Sequence, residues 1–353
     1  MKKVLVFYSE TGGGHLRAAE ALAEALKTRK NIDVVLHDGG KETNWGQKIN
    51  PSLLFSIVSH YLLPLYNLTY KLTDNRFGVK ILRWVIKSIW GRNLNKIIDK
   101  EKPDLIITTH HFISPATLSV PTETAFSVVV IDLGKPHRIW FDNKADYIIV
   151  PEQAMASWAS STFGVDPSKI KPLGYPLRGQ FKAHKTHPLT NTILILGAAV
   201  EVYLVTSWIK KIIKSFPDKK IVVVCGHNIL LQKILSRNSG VQSFGFIDNL
   251  HKFLEKSDLV ITKAGPGIIM EAAALKKPII LVKWVGFQEK DNIAFVTSNH
   301  LGIYAPNGKN LTTAIEKIYN KYGDFTNQKV VSFETDKIAD FLISLELDNE
   351  STN

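Results

Sequence analysis

Short, continuously apolar runs alternate with amphipathic stretches along nearly the whole chain. KVLVFY (Lys3 to Tyr8) leads through a glycine-rich segment into LRAAEALAEALK, where Leu16, Ala19, Ala23 and Leu26 share one helical face. IDVVLHD, DLIITTH, AFSVVVIDL and ADYIIVP are further apolar runs. Strands of a parallel sheet covered by helices on both faces read this way. Strand, glycine loop, helix, strand is a βαβ unit. Between about Pro172 and Thr190 the composition turns to Pro, Gly and Lys, which marks a linker. The alternation then restarts with TILILG, VYLVTSWIKKIIKSF, KIVVVCG, ILLQKILSR, VQSFGF, LHKFLEKS and DLVITK. The pattern predicts an α/β protein of two doubly wound, Rossmann-like domains, residues 1–178 and 191–330, with a linker at 179–190. Residues 331–353 hold one more helical stretch, DKIADFLISLEL, free by its pattern to return to the first domain. In such sheets ligands bind beyond the carboxyl ends of the strands, so the expected site is a cleft that the two domains face.

A chain of 353 residues is too long for one ordinary core, which agrees with two domains. The single cysteine, Cys225, excludes an intrachain disulfide and reads as a small core residue. No secretory signal pattern precedes the first strand, and the apolar run Leu53 to Leu68 is broken by Ser56, Ser59, His60, Pro64 and Asn67. A cytosolic protein is expected. The formal net charge of +12 suits nucleic acid, an anionic membrane or an anionic ligand. No zinc knuckle, RNA-binding signature or tandem basic run supports nucleic acid. Residues 41–100 mix aromatics (Tyr61 among them) with positive charge, and VKILRWVIKSIWGRNL reads as a basic amphipathic helix carrying Arg83, Trp84, Lys87 and Trp90. That composition suits an anionic lipid interface. A core-packing helix with a solvated basic face accounts for it equally well.

The densest chemistry lies in ITKAGPGIIMEAAALKKPIILVKWVGFQEKDN, Ile261 to Asn292. A strand ends in Lys263, a turn holds Gly265 and Gly267, and a helix follows with Glu271 about one turn in. Free N–H groups and the positive dipole end at a helix start suit a phosphate. A carboxylate one turn on can accept from ribose hydroxyls. The next strand delivers Gln288, Glu289 and Asn292 to address a second hydroxylated group. The arrangement predicts a nucleotide-sugar pocket.

Two other constellations carry weaker signals. Gly12, Gly13, Gly14 and His15 join the first strand to the first helix, where a helix N-terminus keeps an imidazole neutral and able to accept a proton from a hydroxyl. Equally, the glycines make a tight turn and His15 is a solvated first-turn residue. Asp132 ends a strand, with His137, Trp140 and Asp142 beyond it. Asp132 can orient a base at a cleft or cap a turn, and Trp140 can fill the core. His110 and His111 end another strand, but no third ligand stands at a recognisable spacing, so no metal site is assigned.

Taken in order, S-x-T-G-G-G-H-x-x-A-A (Ser9 to Ala19), D-L-G-x-x-H-x-x-W-F (Asp132 to Phe141), G-Y-P-L (Gly174 to Leu177), K-A-G-P-G-x-x-x-E-A (Lys263 to Ala272) and Q-E-x-x-N (Gln288 to Asn292) resemble the GT-B glycosyltransferases of the monogalactosyldiacylglycerol synthase and processive diacylglycerol glucosyltransferase group. That group is related to the N-acetylglucosaminyl transferase that makes lipid II. The resemblance implies inverting transfer of a hexose from a UDP-sugar to a lipid hydroxyl, with no metal or other cofactor. It implies a peripheral enzyme on the inner face of the cell membrane, whose partners are UDP-sugar, lipid acceptor and the anionic surface, not nucleic acid. Gly197, Lys263, Gly265, Gly267, Glu271, Gln288, Glu289 and Asn292 would serve the donor. His15 and Asp132 would serve catalysis, with Gly13, Gly14, His137 and Trp140 at the acceptor. One departure stands out: where the group has a glycine-rich loop, this chain has LGAAVEVY (Leu196 to Tyr203), which keeps only Gly197 and adds Glu201. Transfer to a polyprenyl-linked acceptor, UDP-sugar epimerisation on the same fold, and a degenerate nucleotide- or membrane-binding protein are the alternatives.

Overall fold

The computed structural model describes residues 1–9, 13–41, 62–114, 118, 124–181, 189–327 and 333–350, the last six of these in backbone only. Gly12, Tyr61, most of the run Leu53 to Leu68 and most of the 179–190 linker lie outside the described residues. The chain divides into two compact units: residues 1–179 with 286–288 and 331–353, and residues 180–285 with 289–330.

The first unit is built on strands β1 (Lys2–Tyr8), β2 (Ile32–Asp38), β3 (Leu105–Thr108), β4 (Ala125–Val129), β5 (Tyr147–Val150) and β6 (Ile170–Pro172). They form one parallel sheet in the order β2-β1-β3-β4-β5-β6. After β1 the chain steps one way to β2 and then back past β1 to β3, so the strand order reverses between β1 and β3. The crevice beyond the carboxyl ends of those two strands is where doubly wound sheets bind ligands. The described helices here are α1 (Gly14–Lys27), α2 (Leu63–Thr73), α3 (Arg76–Ile86), α4 (Arg92–Glu101) and α5 (Gln153–Phe163). Helix α1 buries Ala19, Leu22, Ala23, Ala25 and Leu26 in one cluster with Val4, Val6, Leu105 and Val129. Its small residues let it lie close to the sheet.

The stretch read as one basic amphipathic helix is two helices joined by a π turn, Lys87–Gly91. A π turn inserts one residue into the helical repeat and rotates the following side chains about the axis. Trp84 is exposed at 69%, whereas Trp90 stacks on Phe112 at 5.4 Å between centroids and packs against Val79, Ile86 and Ile139. Arg83 also turns inward, donating to the Phe141 carbonyl at 3.0 Å. Of the four residues expected at a lipid surface, Trp84 and Lys87 point outward; Arg83 and Trp90 serve the fold.

The second unit repeats the plan with β7 (Thr192–Leu196), β8 (Lys220–Val224), β9 (Val241–Phe244), β10 (Leu259–Lys263), β11 (Ile279–Lys283) and β12 (Gly302–Tyr304), ordered β12-β11-β10-β7-β8-β9 and all parallel. Its order reverses between β7 and β10. The described helices are α6 (Val202–Ser215), α7 (Ile229–Leu235), α8 (Leu250–Glu255), α9 (Pro266–Ala274), α10 (Phe287–Ser298), α11 (Leu311–Asn320) and α12 (Tyr322–Thr326). Trp208 of α6, 1% exposed, anchors the core and donates its indole N–H to the Asn307 carbonyl at 3.1 Å. The last helix, α13 (Thr335–Glu350), packs on α1 in the first unit through Ile338, Ala339 and Leu342. Arg29 adds ion pairs to Asp336 and Asp340 at 3.1 and 2.8 Å.

Candidate functional site

Each unit places its candidate residues at its own point of strand reversal. In the first unit, β1 ends at Tyr8 and the chain enters α1 through Gly13, whose φ of 84° is left-handed and favours glycine. Gly14 and His15 follow in the first turn. Facing them, β3 ends at Thr108 and runs into Thr109, His110 and His111. The His15 Nδ1 lies 2.5 Å from the Thr109 carbonyl oxygen, and the Thr109 hydroxyl donates to the His15 carbonyl at 2.9 Å. A carbonyl only accepts, so Nδ1 carries the proton and Nε2 keeps its lone pair. Burial lowers the His15 pKa to about 4, opposed in part by the Thr109 bond. At neutral pH the ring is therefore neutral and oriented, and its Nε2 has no hydrogen-bond partner among the described residues. His15 is not the solvated first-turn residue that the sequence left open; it is 9% exposed.

Asp132 reaches the same region indirectly. Its Oδ2 accepts the Trp140 indole N–H at 2.7 Å, and the Trp140 ring lies 6.1 Å from the His15 ring at 23° between planes. Asp132 fixes an indole that stacks on His15. His137 has both nitrogens engaged: Nδ1 accepts from Ile139 N–H at 3.0 Å, so Nε2 carries the proton and donates to the Tyr70 carbonyl at 3.2 Å. Burial lowers its pKa as well, with Asp74 opposing. His137 caps the short 3-10 turn Arg138–Trp140 and thereby helps to place Trp140. A cavity of about 100 Å³ opens among Tyr70, Leu82, His111, Phe112, Asp132 and Trp140. Its walls are mainly apolar and aromatic, with an oriented carboxylate and an imidazole edge among them.

In the second unit, β10 ends at Lys263, and Gly265 caps α9 with Pro266 in its first turn. Gly265 has an ordinary φ of −73°, so the turn does not need glycine for its dihedral. Space is the reason: a Cβ there would stand 3.3 Å from the Lys263 Nζ and 3.8 Å from the Glu289 Oε1. Lys263 and Glu289 form an ion pair across it, and Glu289 also accepts the Val285 N–H at 2.8 Å. Gly267 and Glu271 lie on α9, Glu271 being buried. Asn292 is fully buried and donates to the Ala264 carbonyl at 2.7 Å, which ties α10 to the end of β10. Gln288 stands in the first turn of α10, in the three-residue stretch grouped with the first unit. Glu289 thus serves an ion pair, Asn292 a backbone tie, and the Gln288 Oε1 accepts the Tyr66 hydroxyl at 2.6 Å.

The departing loop LGAAVEVY follows β7, on the other side of the strand reversal. A Cβ on Gly197 would meet Leu231 at 2.8 Å, so this glycine serves close helix packing. Glu201 caps α6 in position and forms an ion pair with Lys283, the last residue of β11. Lys283 stands beside Lys263 in the register of the two strands. Two ammonium groups thus end adjacent strands next to the N-terminus of α9, and each is met by a carboxylate. The sequence analysis missed Lys283, although its place at a strand end, like that of Lys263, was the available signal. It also set His110 and His111 aside for want of a third partner. The fold supplies one from 95 residues upstream: ligand nitrogens of His15, His110 and His111 lie within 4.8 Å of one another.

Two parallel doubly wound units, each with a polar cluster at its point of strand reversal, are the GT-B architecture. The fold is matched by a UDP co-structure of S. aureus MnaA (TM-score 0.64, 13% identity, covering 99% of this chain and 97% of that one). Acinetobacter baumannii MurG matches with TM-score 0.60 at 13% identity, over 98% of this chain and all of that one. At such identities the likeness is one of fold. Residues 15–177 match the monogalactosyldiacylglycerol (MGDG) synthase family and residues 192–334 the glycosyltransferase family 28 C-terminal domain. Monogalactosyldiacylglycerol synthase 3 of Arabidopsis thaliana is 27% identical, covering 88% of this chain and 72% of its own. Synthase 2 of the same plant is 26% identical over 93% and 76%. The chain has the GT-B fold, with a match to the MGDG synthase family in its amino-terminal half and to the family 28 C-terminal domain in its carboxy-terminal half.

Proposed function

We propose that the protein transfers a hexose from a UDP-sugar to a hydroxyl of a diacylglycerol-type lipid, with inversion and without a metal, at an anionic membrane surface. The observation that carries this reading is His15: a neutral imidazole whose Nδ1–H is held by Thr109 and whose Nε2 is free to accept a proton. His15 takes the proton of the acceptor hydroxyl as its oxygen attacks the anomeric carbon. The bond from that carbon to the β-phosphate oxygen breaks, and UDP leaves with the electron pair from the opposite face. The N–H groups at the start of α9 and the ammonium groups of Lys263 and Lys283 are suited to receive the developing phosphate charge, so that Glu289 and Glu201 give way to the diphosphate. The apolar cavity beside Trp140 and Phe112 suits the glycerol and upper acyl carbons of a lipid.

Membrane association rests on helices α2 and α3. Leu65, Leu68, Leu72, Phe77, Ile81 and Trp84 are exposed, Phe77 at 73%, and Lys71, Arg76, Lys80 and Lys87 are exposed among them. Apolar side chains ringed by basic ones suit an anionic interface. Among the described residues no helix is long and apolar enough to cross a membrane. A location on the inner face of the cell membrane is part of the same proposal.

Purified protein incubated with UDP-galactose, UDP-glucose or UDP-N-acetylglucosamine and vesicles containing diacylglycerol is expected to form a glycolipid with one of them. Formation of no glycolipid, together with no UDP-sugar binding by calorimetry, would overturn the proposal. Interconversion of UDP-sugars without a lipid product would redirect it to epimerisation.

A further inference from the structure

His15, His110 and His111 make a cluster that proton transfer by His15 alone does not require. The ring centroids of His15 and His110 are 4.4 Å apart, and those of His110 and His111 are 4.6 Å apart with planes at 16°. Burial, and the repulsion that a second charged imidazole would bring, hold His110 and His111 well below the usual histidine range. All three are thus neutral at pH 7, the form in which imidazole binds metals. The His15 Nδ1–H donates to a backbone carbonyl, the outer-shell bond that orients a metal-binding histidine and exposes its Nε2. His111 Nδ1 is buried and has no hydrogen-bond partner among the described residues. Such an orphan nitrogen is open to a partner such as a bound ion. His111 also lines the cavity, which gives an ion a way in.

We propose that His15, His110 and His111 form a site for a divalent transition metal of the zinc class, with the fourth position open toward the cavity. Three imidazoles with no carboxylate or thiolate select against Mg²⁺ and Ca²⁺, which take oxygen ligands. Zinc–nitrogen bonds of about 2.0–2.1 Å place tetrahedral ligand atoms about 3.3 Å apart. The present separations, all within 4.8 Å, close to that by side-chain rotation. The His110 Nδ1 accepts the Phe112 N–H at 3.3 Å, a bond that a turn of the ring toward an ion would exchange for the metal. The site does not depend on the transfer reaction. If His15 is the base of that reaction, the metal occupies its lone pair, and the ion is an inhibitor rather than a cofactor.

The test uses the full chain, stripped with a chelator and titrated with Co²⁺ as a spectroscopic probe. One equivalent is expected to bind with the intense visible bands of a tetrahedral site, and Zn²⁺ is expected to displace it. His111→Ala and His110→Gln should each weaken binding by about 10-fold or more, while His227→Ala and His300→Ala leave it unchanged. Absence of the bands at saturating Co²⁺, or equal affinity in folded His111→Ala, would overturn the site. Circular dichroism melting checks each variant. His111 borders the cavity rather than the core, so His111→Ala decides the question if His110→Gln does not fold.

Discussion

The Asp132 carboxylate accepts the Trp140 indole N–H at 2.7 Å, and through that bond it sets the ring that stacks beside His15. In the proposed reaction Asp132 is a positioning residue, acting on His15 through an indole. Trp140→Phe keeps the stacking ring but removes the N–H, leaving Asp132 without that partner. A displacement of about 1 Å at a reacting group can lower a rate by about 100-fold. Trp140→Phe should lower kcat by roughly 10- to 100-fold while the KM for the UDP-sugar changes little. Asp132→Asn retains an acceptor oxygen for the indole and should lose much less. A change confined to KM in steady-state kinetics would count against positioning.

His15→Ala removes the acceptor nitrogen itself. General bases contribute about 10²- to 10⁴-fold, and a loss of that size in kcat is expected with the fold retained. Unchanged turnover would remove His15 from the mechanism.

The buried imidazoles also make stability depend on pH. The His15 pKa is lowered to about 4 in the folded protein, against about 6.5 unfolded. The unfolded chain therefore binds the proton first, and stability is lost as pH falls from about 6.5 toward 4. Between pH 7 and pH 5 this single group accounts for about 2 kcal/mol. His110 and His111 act in the same direction. Urea unfolding at the two pH values should show the decline, and His111→Ala should make it shallower. Equal stability at both would contradict neutral, buried rings.

Glu201 and Lys283 test the departing loop. The proposed diphosphate competes with the Glu201 carboxylate for the Lys283 ammonium. Glu201→Gln should tighten UDP binding by roughly 2- to 10-fold, and Lys283→Ala should weaken it by a similar factor, the range expected of a partly exposed charge pair. Calorimetry with UDP reads both. Weaker binding in Glu201→Gln would assign that carboxylate to the donor itself.

Lipid docking through α2 and α3 predicts co-sedimentation with anionic vesicles that falls as salt is raised. Each lysine near such a surface contributes about 1 kcal/mol. Lys80→Gln with Lys87→Gln should remove most of the salt dependence, and Phe77→Ser with Trp84→Ser most of the residual binding. Arg83, engaged with the Phe141 carbonyl, is not a suitable probe, because its loss also affects packing. Equal pelleting with neutral and anionic lipid would argue against the electrostatic part.

Both sheets were legible from the alternation of apolar runs and amphipathic stretches, because strands buried on two faces leave little else in their composition. The turn from β10 into α9 was legible because all its parts are local. What escaped was what the fold brings together from a distance. His15 joins His110 and His111 only because β1 and β3 are neighbours, and no spacing along the chain announces that. The Glu201–Lys283 pair spans two βα loops in the same way. The π turn at Lys87–Gly91 escaped for another reason: one inserted residue redirects Trp90 inward without altering the amphipathic pattern on which Arg83, Trp84, Lys87 and Trp90 were grouped.

The packing of α13 on α1 has a consequence for how the protein is made. The helix that carries His15 leaves the ribosome well before the helix that covers it. Roughly 300 residues separate them, which at about 5–20 residues per second is a wait of about 15 to 60 seconds. During that interval the second unit can complete its own core while α1 stays without its final cover. A nonsense mutation just before Thr335 should accordingly spare nucleotide binding and cost the first unit its stability, with chaperone dependence as the cellular signature.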